Sequence, residues 1–503
     1  MDLLANLSTG FGIAFTPINL LFMTIGVTAG TIIGALPGVG PVAGIAILLP
    51  LVYGADPVTA MIMMAGIYCG TMYGGTITSV LVGVPGEAST IMTCLDGYEM
   101  AKKGRAGPAL TISAIGSFFA GTVSVVLLML AAPPIAKAAL SFGPPEYFAL
   151  MLLGMTAVAG LVGEHKMKGY IVAFFGLMIS LIGMDIITGY QRFTFGLLGL
   201  ADGIKFLPVA VGLFGVAEIF ATLEETETGR IIKTTLKEML ITKQDLKDSA
   251  APIGRATIIG FIVGVLPGAG GAVASMLSYA TENKLSKHPE RFGTGEIAAV
   301  AGPNAADNAS TGGSMIPMLT LGIPGSATTA VMLGALALFN IQPGPLLFVK
   351  DHDLVWGLIA SMYLANVVLL LMNILFVPVF VSALRIPFAI LQPLILVFCF
   401  VGVYSTSSSM LDMWVMLVFG VIGYVMKKHD YPPAPLVLAL VLGNGLEMSL
   451  RQSLMISQGN PGILFARPIS GTIMVAVLLV VGWPLIRRLW VRRPRAPRAA
   501  DPA

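Results

Sequence analysis

"GTIIGALPGVG" occupies residues 30–40, and "GFIVGVLPGAG" occupies residues 260–270; the two agree at seven of eleven positions. Both lie inside apolar runs, so their shared Pro-Gly core interrupts a helix where nothing else would. Pro37 lacks an amide hydrogen and crowds the preceding turn, so the helix entering through Ile32 and Ile33 should end before it. Gly38 and Gly40 open backbone conformations closed to other residues, and Pro41 suits the first turn of a new helix. Pro267, Gly268, Gly270 and Gly271 repeat the design. A single such break reads as a packing kink. Its recurrence in both halves points instead to two loops at membrane depth, each beside a helix N-terminus whose free N–H groups and partial positive charge suit an anion.

The chain around them is a membrane chain. Of 503 residues, 56% are hydrophobic and 11% charged, against about 25% charged in ordinary soluble domains. Apolar runs at 13–33, 109–131, 147–164, 169–187, 206–222, 355–381, 388–403, 408–426 and 471–489, with the interrupted segments, give roughly 10–12 crossings at about 20 residues each. The backbone of such spans pairs with itself as helix, so the fold class is an all-α polytopic bundle. The first residues, "MDLLANLSTGFG", lack the positive start of a cleavable leader. Cys69, Cys94 and Cys399 are too dispersed for a metal site or disulfide framework and read as packing residues. "RRLWVRRPRAPR" (487–498) follows the last span, which places the C-terminus in the cytoplasm and makes a lipid-facing basic segment, with no nucleic-acid partner, the better reading.

Repetition organises the chain. "GVPGEAST" (83–90) answers "GIPGSATT" (322–329), the pair Gly74 and Gly75 answers Gly312 and Gly313, and "PVAVGLFGVAE" resembles "PLVLALVLGNGLE". This divides the chain into a first transmembrane repeat over 1–235, a polar linker over 236–250, a second repeat over 251–490 and a basic tail over 491–503. Transporter repeats are commonly inverted, with sites where broken helices meet, and an elevator-like arrangement of two inverted repeats with hairpins is expected. One observation pulls the other way: the connection over 223–250 and the tail both carry basic residues, which an odd number of crossings would separate. Ile232, Leu236, Met239 and Leu240 fall at helical spacing within that connection.

"AGPNAADNASTGGSMIP" (301–317) is the longest polar stretch in an apolar setting. Asn304, Asp307 and Asn308 offer hard oxygen ligands for a coupling cation, Na+ or H+, with no other cofactor or metal implied. Ser310, Thr311, Gly312, Gly313 and Ser314, with Gly74, Gly75 and Thr76 of the first half, are expected to reach substrate beside the two loops. An exposed surface loop is the competing reading of 304–308. Glu87, after the "VPG" break, reads as a helix-start residue favoured by the dipole. His165, His288, His352 and His429 show no metal-ligand spacing.

The paired loops, together with "GPNAADNASTGGSMIPMLTLGIPGSATTAVMLGAL" (302–336), resemble the large membrane subunit of the tripartite tricarboxylate transporters, the TctA family. The likeness covers nearly the whole chain except the arginine-rich tail. It implies a permease in a bacterial inner membrane, working with a small membrane subunit and a periplasmic solute-binding protein, importing organic carboxylates such as citrate on an ion gradient. A channel for small anions is the alternative. A membrane hydrolase would need a nucleophile with its base, a metal-binding His pair or two apposed aspartates, and the sequence displays none.

Overall fold

The computed structural model describes residues 3–36, 39–161, 166–185, 187–223, 239–377, 380 and 388–491. Pro37 and Gly38 of the first loop, Ile232 and Leu236 of the connection, and the basic tail lie outside the described residues. The rest is helical: α1 Leu3–Ala14, α2 Pro17–Gly34, α3 Pro41–Leu48, α4 Pro57–Leu81, α5 Ile91–Lys102, α6 Ala106–Ala139, α7 Pro144–Leu161 and α8 Lys166–Ser180. A two-residue antiparallel pairing of Gly183–Met184 with Gln191–Arg192 follows, then α9 Phe206–Thr222, whose Val211–Val216 turn is π-helical. The second half contains α10 Lys243–Val265, α11 Gly270–Leu285, α12 Ile297–Leu321, α13 Ala327–Leu338, α14 His352–Leu375, α15 Phe388–Ser407, α16 Met410–Lys428, α17 Ala434–Ile456 and α18 Pro468–Val491. α10 begins inside the stretch read as linker, capped by Thr242, whose hydroxyl accepts from the Asp245 amide.

Among the described residues, seven helices are long and apolar enough to cross a membrane. α12 fails that apolarity test for a physical reason: Ile297 to Thr320 is buried almost throughout, so its polar side chains meet protein rather than lipid. The reading of 304–308 as an exposed loop is therefore corrected, because the segment is continuous buried helix. α4 is buried to the same degree. The outer helices instead present Leu21, Phe119, Phe174, Trp414 and Leu478 outward, as a lipid-facing surface does.

α2 and α4 pack in parallel at close range. Gly26, Gly30 and Gly34 face the backbone of Met63, Ile67 and Thr71, while Gly66, Gly70 and Gly74 face back toward Met23, Val27 and Thr31. Small residues every fourth position let two helix backbones touch, the geometry that associates helices where no water drives them together. α10 and α12 do the same with Gly260, Gly264 and Gly313 against Ala306, Ser310 and Phe261. The register is strict. Gly30 and Gly34 differ from Gly260 and Gly264 by 230, and their partners Ile67 and Thr71 differ from Ala306 and Ser310 by 239. Gly74 thus matches Gly313, and Gly75 matches Ser314. Pairing the two Gly-Gly dipeptides letter for letter is off by one, because the position that must be glycine is the one pressed on the neighbouring helix.

Ion pairs collect at the two ends of the bundle, which α6 alone separates by about 50 Å at 1.5 Å per residue. At one end Arg105 pairs with Asp245, Lys103 donates to the Thr294 carbonyl, Lys168 to the His429 carbonyl and Lys427 to Glu218. At the other, Arg467 pairs with Glu146, Arg192 with Glu447, Arg451 with Asp185 and Lys205 with Asp412.

Candidate functional site

Each helix pair ends in a break, and each break lies against another. α2 ends at Gly34 and α3 starts at Pro41, as the proline and glycine placement requires, although Gly40 itself is extended (φ −80°, ψ −177°) and needs no special freedom. In the second break, Gly268 (φ +80°) does need it. Its amide donates to the Gly325 carbonyl at 3.0 Å. Its missing side chain is replaced by the backbone of α7, with Val158 Cα 2.8 Å from where a Cβ would stand. The amide expected to wait for an anion is engaged, and this glycine is required by contact with α7.

The two halves meet between these breaks. Tyr68 on α4 brings its hydroxyl to 3.4 Å from Ser314 Oγ on α12 and 3.2 Å from Ser326 Oγ, the N-cap of α13. Thr76, two turns further along α4, donates to Asn304 Oδ1 at 2.9 Å. As α4 advances from 68 to 76, its partners on α12 fall from 314 to 304, so these corresponding helices run antiparallel. Ser89, just before α5, donates to Asp307 Oδ2 at 2.8 Å.

Asp307 is 1% exposed, and its other oxygen has no hydrogen-bond partner among the described residues. That oxygen lies against Gly271 in the first turn of α11, at a spot where any side chain would collide with it. A carboxylate there faces the positive end of a helix dipole. Ser310 Oγ, which donates to the Asp307 carbonyl, is beside it, and Gly75 packs toward Thr90 and Glu87. Thr311 Oγ1 and Asn304 Nδ2 are buried without partners among the described residues.

The candidate residues thus sort into two groups. Asp307, Ser310, Ser314, Gly75, Gly271 and, through Thr76, Asn304 converge. Asn308 turns to α6, donating to Ser117 Oγ at 2.8 Å; Gly312 packs on Ser124 of α6, Gly313 on α10 and Gly74 on α2. One turn of helix explains the division, because residues 307, 310 and 314 share a face that 308, 312 and 313 do not. Tyr68, Ser89 and Ser326 were absent from the sequence-derived set. Aligning the two halves at an offset of 239 would have placed Tyr68 opposite Asp307 and marked it.

Comparison with known proteins identifies the family. A family model described as the tripartite tricarboxylate transporter TctA family matches residues 20–438. The chain belongs to the TctA family. TctA proteins are components of tripartite tricarboxylate transporters, so this chain is a multi-pass membrane protein of a transport system. It is 44% identical over 495 residues to an "uncharacterized 52.8 kDa protein in TAR-I ttuC' 3'region" of Agrobacterium vitis, covering 98% of this chain and 99% of that one. It is 40% identical over 222 residues to an "uncharacterized protein in TAR-II ttuC' 3'region" of the same organism, covering 44% and 92%. No solved structure matches.

Proposed function

We propose that this chain is the permease of a binding-protein-dependent secondary carrier that imports organic carboxylates, of the tricarboxylate or citrate kind, on a sodium or proton gradient. The observation that carries the reading is the antiparallel meeting of two equivalent units, α2–α5 and α10–α13, at Tyr68, Ser314, Ser326, Ser89 and Asp307. Antiparallel equivalents imply inverted repeats whose hairpins enter from opposite sides, the arrangement in which a buried site can be reached from each side in turn. A channel would favour a continuous polar path over two closed, interlocked breaks.

Topology supports the same reading. The end bearing Lys102, Lys103, Arg105, Lys168, Lys243, Lys247, Lys284, Lys287, Arg291, Lys427 and Lys428 is richer in lysine and arginine than the end bearing Lys137, Arg192, Lys205, Lys350, Arg451 and Arg467, so it faces the cytoplasm. An odd number of crossings then separates the starts of α2 and α10, while an even number brings the end of α18 to the side on which α10 starts. The shared basic character of connection and tail is thereby compatible with inversion. In this reading the two hairpin units move as an elevator-like body against α7, α8, α17 and α18. A periplasmic solute-binding protein delivers the carboxylate to the outer face, raising its local concentration, and a small membrane subunit completes the assembly in the bacterial inner membrane.

The test is uptake of labelled citrate and related carboxylates into vesicles containing the chain with and without the two partners. Saturable flux that requires both the binding protein and an imposed gradient is expected. Full-rate uptake by the chain alone, or flux that never saturates, would refute the carrier reading. Asp307→Asn should weaken gradient-driven accumulation while sparing exchange of preloaded substrate, and an unchanged gradient dependence would remove the coupling role of Asp307.

A further inference from the structure

The two meeting points of the halves are equivalent in register and unequal in chemistry. Adding 239 carries Gly74 to Gly313, Thr71 to Ser310 and Gly86 to Gly325, each in the same packing environment. The same step carries Tyr68 to Asp307, Glu87 to Ser326 and Thr90 to Thr329. The hydrogen-bonded pair Tyr68 and Ser326, 3.2 Å apart, therefore has as its counterpart the pair Asp307 and Glu87. One meeting point is hydroxyl to hydroxyl. The other is acid to acid.

We propose that Glu87 and Asp307, one from each repeat, together hold a single monovalent cation, making Glu87 the second acidic ligand of the coupling site. The proposal rests on the carrier reading above. Several observations converge on it. Asp307 Oδ1 and Glu87 Oε1 are both buried oxygens without a hydrogen-bond partner among the described residues. Ser89, two residues beyond Glu87, is bonded to Asp307 Oδ2 and ties the two segments together. Gly40 of the first hairpin break and Gly75 of α4 frame Glu87, at 3.6 Å from its Oε2 and 3.5 Å from its Cγ measured from the Cβ position of each glycine. Gly271 frames Asp307 from the other hairpin. Both hairpin breaks thus close on this pair.

Two carboxylates in such a place cannot both stay ionised without a compensating charge, since uncompensated charge in a low-dielectric site is expensive. No salt bridge reaches either of them among the described residues, and the sequence contains no Lys or Arg between Arg291 and Lys350. Tyr68, whose hydroxyl lies beside Ser314 and Ser326 on the same interface, supplies no positive charge. Glu87 is also the N-cap of the turn leading into α5, in a capping box with Thr90. Glutamate is not among the preferred N-cap residues, and the second repeat makes the corresponding cap with neutral Ser326 and Thr329. Capping does not require an acid here.

The purified full chain in detergent provides the test, read as thermal unfolding in NaCl against choline chloride at pH 8, and in choline chloride at pH 8 against pH 6. A bound cation stabilises the folded state by mass action. A melting shift produced by NaCl at pH 8 identifies sodium; a shift produced only by acidification, and lost in the variants, identifies a proton. Glu87→Ser, which copies the cap of the second repeat, and Glu87→Gln should each abolish the shift, as should Asp307→Asn. If both Glu87 variants fold and keep the full shift while Asp307→Asn loses it, Glu87 is not a ligand and the coupling role of Asp307 stands alone. If the unmodified chain responds to neither ion, or Asp307→Asn also responds normally, the paired site is refuted, whereas the carrier reading itself is decided by uptake.

Discussion

Gly271→Ala is the smallest perturbation that addresses the buried carboxylate without replacing it. A methyl group on Gly271 would fall 3.2 Å from Asp307 Cγ and 3.3 Å from Ser310 Oγ, and would overlap Asp307 Oδ1 outright. Asp307 cannot swing freely, because its other oxygen is bonded to Ser89. The carboxylate must retreat by on the order of 1 Å, a displacement that costs about 10²-fold where geometry governs function. Folding should be much less affected. Overpacking at about 1–3 kcal/mol is partly offset by the roughly 1 kcal/mol by which alanine exceeds glycine in a helix. Gly254→Ala is the matched control, since no atom lies within 4 Å of its Cβ position. Initial rates of labelled citrate uptake, with binding protein and small subunit present, should fall about 10²-fold for Gly271→Ala and remain unchanged for Gly254→Ala. Uptake by Gly271→Ala at the unmodified rate, with the same cation dependence, would show that Asp307 has room to spare and that its position against α11 is immaterial.

Tyr68→Phe removes the hydroxyl shared by Ser314 and Ser326; the lost bonding, about 1 kcal/mol, should lower the melting temperature of the purified chain, and an unchanged melting temperature would show that this contact does not hold the two halves together. Gly268→Val forces a β-branched residue to φ +80° and against the α7 backbone, a strain of about 1–3 kcal/mol that should lower the melting temperature and halt uptake, while a silent variant would show that the break does not press on α7. Asp185 accepts the Ile187 amide at 2.9 Å, then that of Thr188, and pairs with Arg451, so its carboxyl is held below the ordinary carboxylate range. A lowered folded-state pKa gives stability present above the unfolded value and lost as pH falls through the folded one. Limited proteolysis should find the 183–205 segment resistant from pH 8 down to about 4 and open in Asp185→Asn at neutral pH; equal resistance in both would remove Asp185 from that role.

The helix breaks were legible because proline and glycine act locally: the end of α2 at Gly34, the start of α3 at Pro41 and the left-handed Gly268 follow from covalent geometry. The likeness of the two breaks was legible because the same local problem is solved twice in the letters. What the letters hid was orientation around the helix axis. The run 304–314 was readable as polar, but only the packing of α12 between α4, α6, α10 and α11 decides that Asp307 and Ser314 look toward the other half while Asn308 looks toward Ser117. The four-residue spacing of Gly26, Gly30 and Gly34 against Gly66, Gly70 and Gly74 contained the missing clue. It names the face of α4 that α2 occupies, and Tyr68 is off that face. Glu87 was legible as a helix-start residue, and it is the N-cap of the turn that leads into α5, in a capping box with Thr90; its place beside Asp307 was not legible, because that residue lies 220 positions away.

The close glycine packing has a mechanical consequence. Helices whose backbones touch cannot slide without unlocking every glycine contact, so α2 with α4, and α10 with α12, should travel as rigid bodies, leaving the surface against α7 as the moving seam. Two cysteine pairs can separate these cases. Gly154 on α7 and Ile323, just after α12, have Cβ positions 3.4 Å apart across the seam. Gly97 on α5 and Val80 on α4 have theirs 3.8 Å apart within one unit. Both are close to the roughly 3.5–4.5 Å that disulfides span. In a background with Cys69, Cys94 and Cys399 replaced by alanine, oxidation of Gly154→Cys/Ile323→Cys should stop uptake and reductant should restore it. Oxidised Gly97→Cys/Val80→Cys should transport as before. If the cross-seam disulfide forms completely, shown by a thiol-accessibility shift, and uptake persists, then α7 and the hairpin unit do not move relative to each other near Ile323. Alternating access would then have to arise at the hairpin tips themselves, and in that case the Gly97–Val80 bridge within the unit becomes the one expected to inhibit.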